Sequence, residues 1–216
     1  MRDIYQLPEH GFIGFMSKLV MWIVQLAYLN LLWILFSLIG VVFLGIAPAT
    51  LALIVCCKQL MQGREDTSLF RNFVRTFFQN FIPSNSIFCV LTAVGLLFYT
   101  YTAILASLDG GLYYLVLFVF VSTVIPFLLV TMYILPVMSQ YKVSLLTAIK
   151  YAFVTAIVSP LTSMMLLIVL MGIVVLLSIF PVLIPFYSIS LFTFSLTFFS
   201  QRIFRKMERK ESVSPA

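Results

Sequence analysis

The groups that could do chemistry in this 216-residue chain are few: one histidine, three cysteines and seven carboxylates. The histidine, His10, precedes the first long apolar run, so neither a His–acid dyad nor a metal cluster can be assembled around it within that run. Cys56, Cys57 and Cys89 have neither metal-like nor disulfide-like spacing. They read as small apolar side chains that stay buried and reduced. The stretch "GREDTS" (Gly63 to Ser68) lacks the glycine pattern and the lysine of a phosphate loop. A serine among apolar residues is no nucleophile without a base, and intramembrane proteolysis would need paired acids or a Ser–His pair inside the apolar runs. The expectation is a non-enzyme with no catalytic, cofactor-binding or metal-binding residues. A membrane enzyme of envelope glycan assembly would have little beyond Asp109 to build on.

The elements that would have to position any such group are membrane helices. The chain is 62% hydrophobic and 9% charged, with a mean hydropathy of +1.14. Soluble domains carry about 25% charged residues, so this one cannot cover its surface with polar groups. From Tyr151 to Gln201 there is no Asp, Glu, Lys or Arg, a run long enough for two crossings at roughly 20 residues each. The N-terminus lacks the basic-then-apolar pattern of a cleavable signal, so the first span is expected to be retained. The fold class is all-α, a polytopic transmembrane helix bundle with about six spans. Approximate bounds are 18–44, 48–62, 87–108, 112–138, 161–180 and 182–200. One bundle domain would then cover 1–204, with a polar tail over 205–216. The second span is the shortest, and its full crossing is left open.

Charge placement orients the bundle. All 13 Lys and Arg fall near the N-terminus, between spans two and three, between spans four and five, and in the tail. The remaining turns carry none, and one holds Asp109. Six spans with both termini cytoplasmic satisfy the positive-inside bias, whereas five would scatter the charge.

Two segments are amphipathic or nearly so, at 68–82 and 143–158. In "SLFRNFVRTFFQNFI" the apolar half holds Phe70, Phe73, Phe77 and Phe81, and the polar half holds Arg71 and Arg75. That pattern predicts a cytoplasmic helix in the membrane interface with its apolar half immersed, capped by Thr67 or Ser68 and closed by Pro83. These six residues are the candidate partner-facing set, against the plainer reading of a loop anchor. "SLFRNFVRTFFQNFIPSN" weakly echoes "SLLTAIKYAFVTAIVSPLT", which suggests two copies of span–span–short helix followed by a final hairpin. Hydroxyls such as Ser122, Thr123, Ser190, Thr193 and Thr197 are expected to bridge helices. Away from their ends the spans hold no ionisable group of the kind proton relays use.

The segment "YLNLLWILFSLIGVVFLGIAPATLALIVCCKQLMQGRED", followed by "LFRNFVRTFFQNF", resembles the YesL-like family of small bacterial integral membrane proteins of unknown function. The resemblance rests on Asn30 to Trp33, on the Gly-x-x-Pro-Ala-Thr turn (Gly45, Pro48, Thr50) and on the Phe-rich basic helix, and it covers nearly the full length. Ile39-Gly40 stands where the family often has an apolar-Pro pair. The resemblance implies a bacterial plasma-membrane protein, often encoded in Gram-positive bacteria beside ABC importers of oligosaccharides or complex glycans. The expected role is a non-catalytic accessory subunit. Its partners would be the importer's permease, with the ATPase near the amphipathic helix, and membrane lipids, with no nucleic acid. The chain lacks the Glu-Ala-Ala…Gly loop with which permeases engage an ATPase. The alternative expectation is a stand-alone small-solute or lipid transporter without ionisable intramembrane sites.

Overall fold

The computed structural model describes residues 12–63, 68–141 and 145–213. The N-terminal eleven residues, Arg64, the Thr67 cap, Lys142 and the last three residues of the tail lie outside that range. Among the described residues the order is α1 (Phe12–Ile39), α2 (Phe43–Met61), α3 (Leu69–Gln79), α4 (Phe81–Ala106), α5 (Gly110–Gln140), α6 (Leu145–Val158), α7 (Pro160–Ile179), a 3-10 turn (Pro181–Leu183) and α8 (Ile184–Val213). There is no strand among them. Helices α1, α2, α4, α5, α7 and α8 are long and apolar enough to cross a membrane. The protein is a multi-pass all-α bundle, with α3 and α6 as short helices between crossings.

Boundaries move where packing outweighs local sequence. The first turn is not at Gly45–Pro48. α1 ends at Ile39, the chain reverses over Gly40, Val41 and Val42, and Gly45, Pro48 and Thr50 lie inside α2. Asn30 lies within α1 rather than at a turn. The glycines are needed for contact: a Cβ on Gly40 would sit 2.3 Å from the Gly45 Cα, and one on Gly45 would sit 2.4 Å from the Ser37 carbonyl oxygen. Thr50 Oγ1 donates to the Ile46 carbonyl at 2.7 Å and accepts from Trp33 Nε1 at 3.0 Å. The Gly-x-x-Pro-Ala-Thr motif is thus the face on which α1 and α2 meet. The reversal falls to Val41 (φ 58°) and Val42 (φ 56°, ψ −68°), β-branched residues at positive φ. Phe43 N donates to the Val41 carbonyl at 2.6 Å, a γ-turn centred on Val42. Such backbone conformations cost about 1–3 kcal/mol each.

This shift also lengthens the second span. Starting at Phe43, α2 has 19 residues and reaches about 28 Å, close to the hydrocarbon thickness. It is the central helix: Ala47, Ala49, Ala52, Cys56 and Cys57 are among its many buried residues. Small side chains let neighbouring backbones approach in lipid, where association relies on close packing. Gly63, at φ +67°, closes the helix in the left-handed conformation that glycine tolerates at a helix end.

α3 ends at Gln79, earlier than Pro83. Asn80 makes the joint, its Nδ2 donating to the Thr76 carbonyl at 3.0 Å. Pro83 sits in the first turn of α4, where a missing N–H leaves nothing unpaired. At the far end α8 runs through the polar tail to Val213, so the last crossing and the tail are one helix.

Two cores form. One joins α1, α2 and α3 around Leu29, Phe36, Leu53, Phe73 and Phe77. The other joins α4 to α8 around Tyr133, Val137, Ala152, Leu166 and Ile203. α8 serves both, with Tyr187, Ile189 and Phe194 against the first core and Leu196, Phe199 and Phe204 against the second. α6 presents the buried stripe Ala148, Ala152 and Ala156 and packs mainly on α5, as α3 packs mainly on α2. Most hydroxyls do not bridge helices. Ser122, Thr123, Ser190 and Thr197 donate to carbonyls three or four residues back in their own helix. Tyr133 OH with Ser163 Oγ, at 2.9 Å, does join two crossings.

Gly45→Leu should therefore lower stability in detergent by about 1–3 kcal/mol through overpacking. Val41→Gly should raise it by up to about 1 kcal/mol by relieving the positive-φ valine. Thermal unfolding of the two variants beside the parent checks both signs.

Candidate functional site

α3 is the most amphipathic helix of the bundle, and its two faces part company in the structure. Phe73 and Phe77 are buried. Their ring centroids lie 5.4 and 5.1 Å from that of Phe36 on α1, and Phe77 also meets Phe81 at 5.7 Å. Asn72 Nδ2 donates to Gln59 Oε1 on α2 at 3.0 Å. The centre of the apolar face therefore meets protein, and Phe73 and Phe77 are not available to a partner. Phe81 is partly buried, whereas Phe70, Arg71 and Arg75 are exposed, with Phe78 exposed beside them. What α3 offers outward is a strip of two guanidiniums edged by Phe70 and Phe78. Periodicity alone could not separate Phe70 from Phe73, because both fall on the apolar half of the wheel.

The described basic side chains share a pattern. Lys58 ends α2, Arg71 and Arg75 lie on α3, Lys150 on α6, and Arg202, Arg205 and Lys206 end the last crossing. The turns at 40–42, 107–109 and 180–183 hold no Lys or Arg. Among the described side chains the only carboxylate is that of Asp109, at the opposite end of the crossings. Lys58 Nζ donates to the Gln140 side chain, tying the ends of α2 and α5 together.

Asn30 does more than mark a motif. Its side chain is fully buried. Nδ2 donates to the Pro185 carbonyl at 2.7 Å, and Oδ1 accepts from Ile189 N and Ser190 N at 3.1 Å each. Pro185 and Ile189 are the i, i+4 pair that a regular helix would join, so the amide engages the ladder of α8 from the side. That clamp links α1 to α8 across 155 residues of sequence.

A second unforeseen feature is the outer part of the α4–α5 hairpin. No residue from 88 to 132 is buried. Leu97, Tyr99, Tyr114, Leu115 and Phe118 are all more than 60% exposed. Phe98 meets Phe120 edge to face at 6.0 Å and Phe127 at a tilt at 5.1 Å, so the two helices touch each other while leaving their other faces open. Hydropathy identifies such helices without telling which side a neighbour occupies. Among the described residues no three of His, Cys, Asp and Glu come together.

Asn30→Leu should destabilise the bundle by about 2 kcal/mol, since three backbone groups of α8 lose their side-chain partner in an apolar setting. Phe73→Asp or Phe77→Asp should cost about 3 kcal/mol or more by burying a carboxylate, while Arg71→Glu should change stability by less than about 0.5 kcal/mol. Size-exclusion profiles and thermal unfolding in detergent separate the buried from the outward residues of α3.

A family model described as "Protein of unknown function, DUF624" matches residues 26–101, from the Asn30 region of α1 through α3 into α4. The chain is similar to the Uncharacterized protein YesL of Bacillus subtilis (strain 168), 29% identical over 210 residues, covering 97% of this chain and 99% of YesL. It is 31% identical to the Uncharacterized protein YesV of the same organism over 186 residues, covering 86% and 89% of the two chains. The Uncharacterized protein YteU is 28% identical over 189 residues, covering 86% and 84%. No solved structure matches significantly. With the motif segments in place and these relatives aligned over most of their length, the chain belongs to the YesL-like family of unknown function.

Proposed function

We propose that this protein is a non-catalytic accessory subunit of the bacterial plasma membrane, with both termini cytoplasmic. In this reading it associates with the permease of an oligosaccharide or glycan ABC importer, with α3 near the ATPase. The observation that carries the reading is the open hairpin: 45 consecutive positions, 88 to 132, without a buried residue. Lipid tails are as apolar as these side chains, so a partner's helices would gain by shape and dispersion rather than by hydrophobic force. The basic strip on α3 supports the same reading, since exposed arginines at a membrane edge suit an acidic partner surface or anionic headgroups. The basic ends of the even crossings support cytoplasmic termini through the positive-inside bias. The importer as partner is what the family resemblance implies. The spans offer no acid–base set, which suits a role by contact.

The test is affinity purification of the tagged full chain in mild detergent, followed by mass spectrometry. Recovery of a sugar-importer permease is expected. The double variant Arg71→Glu, Arg75→Glu should reduce recovery of the ATPase by about fivefold or more, at about 1 kcal/mol per charge near the membrane surface. An intact bait that brings down neither permease nor ATPase ends this reading.

A further inference from the structure

A cleft of about 650 Å³ opens between α1, α7 and α8, within the 300–1,000 Å³ range of sites that hold small organic ligands. Its walls are apolar along most of their length: Trp22 from α1, Val169 from α7, and Phe194, Phe198 and Phe199 from α8. Trp22 and Phe194 meet edge to face at 5.3 Å. At one end the lining changes to Gln201, Arg202 and Arg205. The Arg202 guanidinium lies over the Phe198 ring, 4.3 Å from its centroid, a cation–π contact that holds the charge at the mouth of the cleft.

A smaller cavity of about 200 Å³ shares Gln201 and Arg205 with the cleft and adds Lys58, Gln62 and Gln140. Amide, ammonium and guanidinium groups dominate its lining, and all of them carry N–H donors. Gln201 Nε2 is buried without a hydrogen-bond partner, a costly state for an amide inside a bundle. Among the described residues, no carboxylate lines either cavity. Within this lining Lys58 Nζ donates to the Gln140 side chain.

We propose that the cleft and the polar cavity at its end form one site for an anionic phospholipid. One acyl chain lies along Trp22, Val169, Phe194 and Phe198, and the phosphate accepts from Arg205 and Gln201. The sequence of walls, apolar then donor-rich, matches an amphiphile rather than a free anion or a sugar. The cleft opens on apolar crossings whose outward residues face lipid, so the occupant enters sideways from the bilayer. The positive charge at one end selects the anionic headgroup over a zwitterionic one. This inference is independent of the importer partnership.

The test uses the purified full chain in detergent and native mass spectrometry, with phosphatidylglycerol, phosphatidylcholine and inorganic phosphate as probes. Phosphatidylglycerol should bind about tenfold more tightly than phosphatidylcholine. Arg205→Gln should weaken phosphatidylglycerol about fivefold while leaving phosphatidylcholine almost unchanged, the effect of one surface charge. Val169→Trp, which fills the cleft, should weaken both lipids alike, and phosphate at millimolar concentration should displace neither. Equal retention of the two lipids by the parent overturns the proposal. So does displacement of phosphatidylglycerol by phosphate, which would make the site one for a free anion. Unaltered lipid binding in Val169→Trp also overturns it, leaving the cleft to a partner's helix. If Arg205→Gln fails to assemble, the parent's lipid preference and the Val169→Trp result decide.

Discussion

A primary amide placed among apolar helices has to find its partners inside the protein, because the bilayer offers none. Asn30 meets that constraint by reaching into the start of α8, engaging one carbonyl and two N–H groups there. The consequence extends beyond one contact. α8 is the helix whose first half packs on the core of α1 to α3 and whose second half packs on the core of α4 to α7. By fixing where α8 begins and how it sits against α1, the clamp sets how the two cores meet. Hydrophobic patterning could not do this, since any apolar face suits lipid as well as it suits another helix.

The same shortage of directional forces explains the use of small residues. α1 and α2 cross where Gly40 and Gly45 bring backbones together, and α6 lies on α5 through Ala148, Ala152 and Ala156. Close approach multiplies dispersion contacts that are individually about 0.1–0.2 kcal/mol. The positive-φ valines at 41 and 42 are tolerated because the crossing beside them determines the geometry of the reversal. Hydroxyls contribute little between helices, since most return to the carbonyls of their own turn.

Chemistry is concentrated at one end of the crossings. The described Lys and Arg side chains lie on the ends of α2 and α8 or on the connecting helices α3 and α6, and Asp109 lies at the other end. Between them the spans are uncharged, so recognition there depends on shape. At the basic end, shape and charge coincide where the apolar cleft meets the donor-rich cavity, and on α3, where Arg71 and Arg75 face outward while Phe73 and Phe77 hold the helix in place.

The amino-acid sequence by itself determined that the protein lives in a membrane, that it crosses about six times, that two short helices interrupt the crossings and that α3 has a phenylalanine face. Those features follow from composition and from the 3.6-residue period, which act within one helix. Only the tertiary structure decided that the weakest-looking span is the central one. It looked weakest because a turn expected at Gly45–Pro48 cut it short; its alanines and cysteines allow the close packing that makes it central, and a hydropathy profile does not show packing partners. Tertiary contacts also moved the first turn from Gly45–Pro48 to Gly40–Val42 and divided the phenylalanines of α3 into buried and exposed. They alone gave Asn30 its partner and joined Lys58, Gln140, Gln201 and Arg205 around one cavity. In lipid the hydrophobic pattern does not say which face meets protein, so these decisions fall to steric fit and hydrogen bonds between residues far apart in the chain.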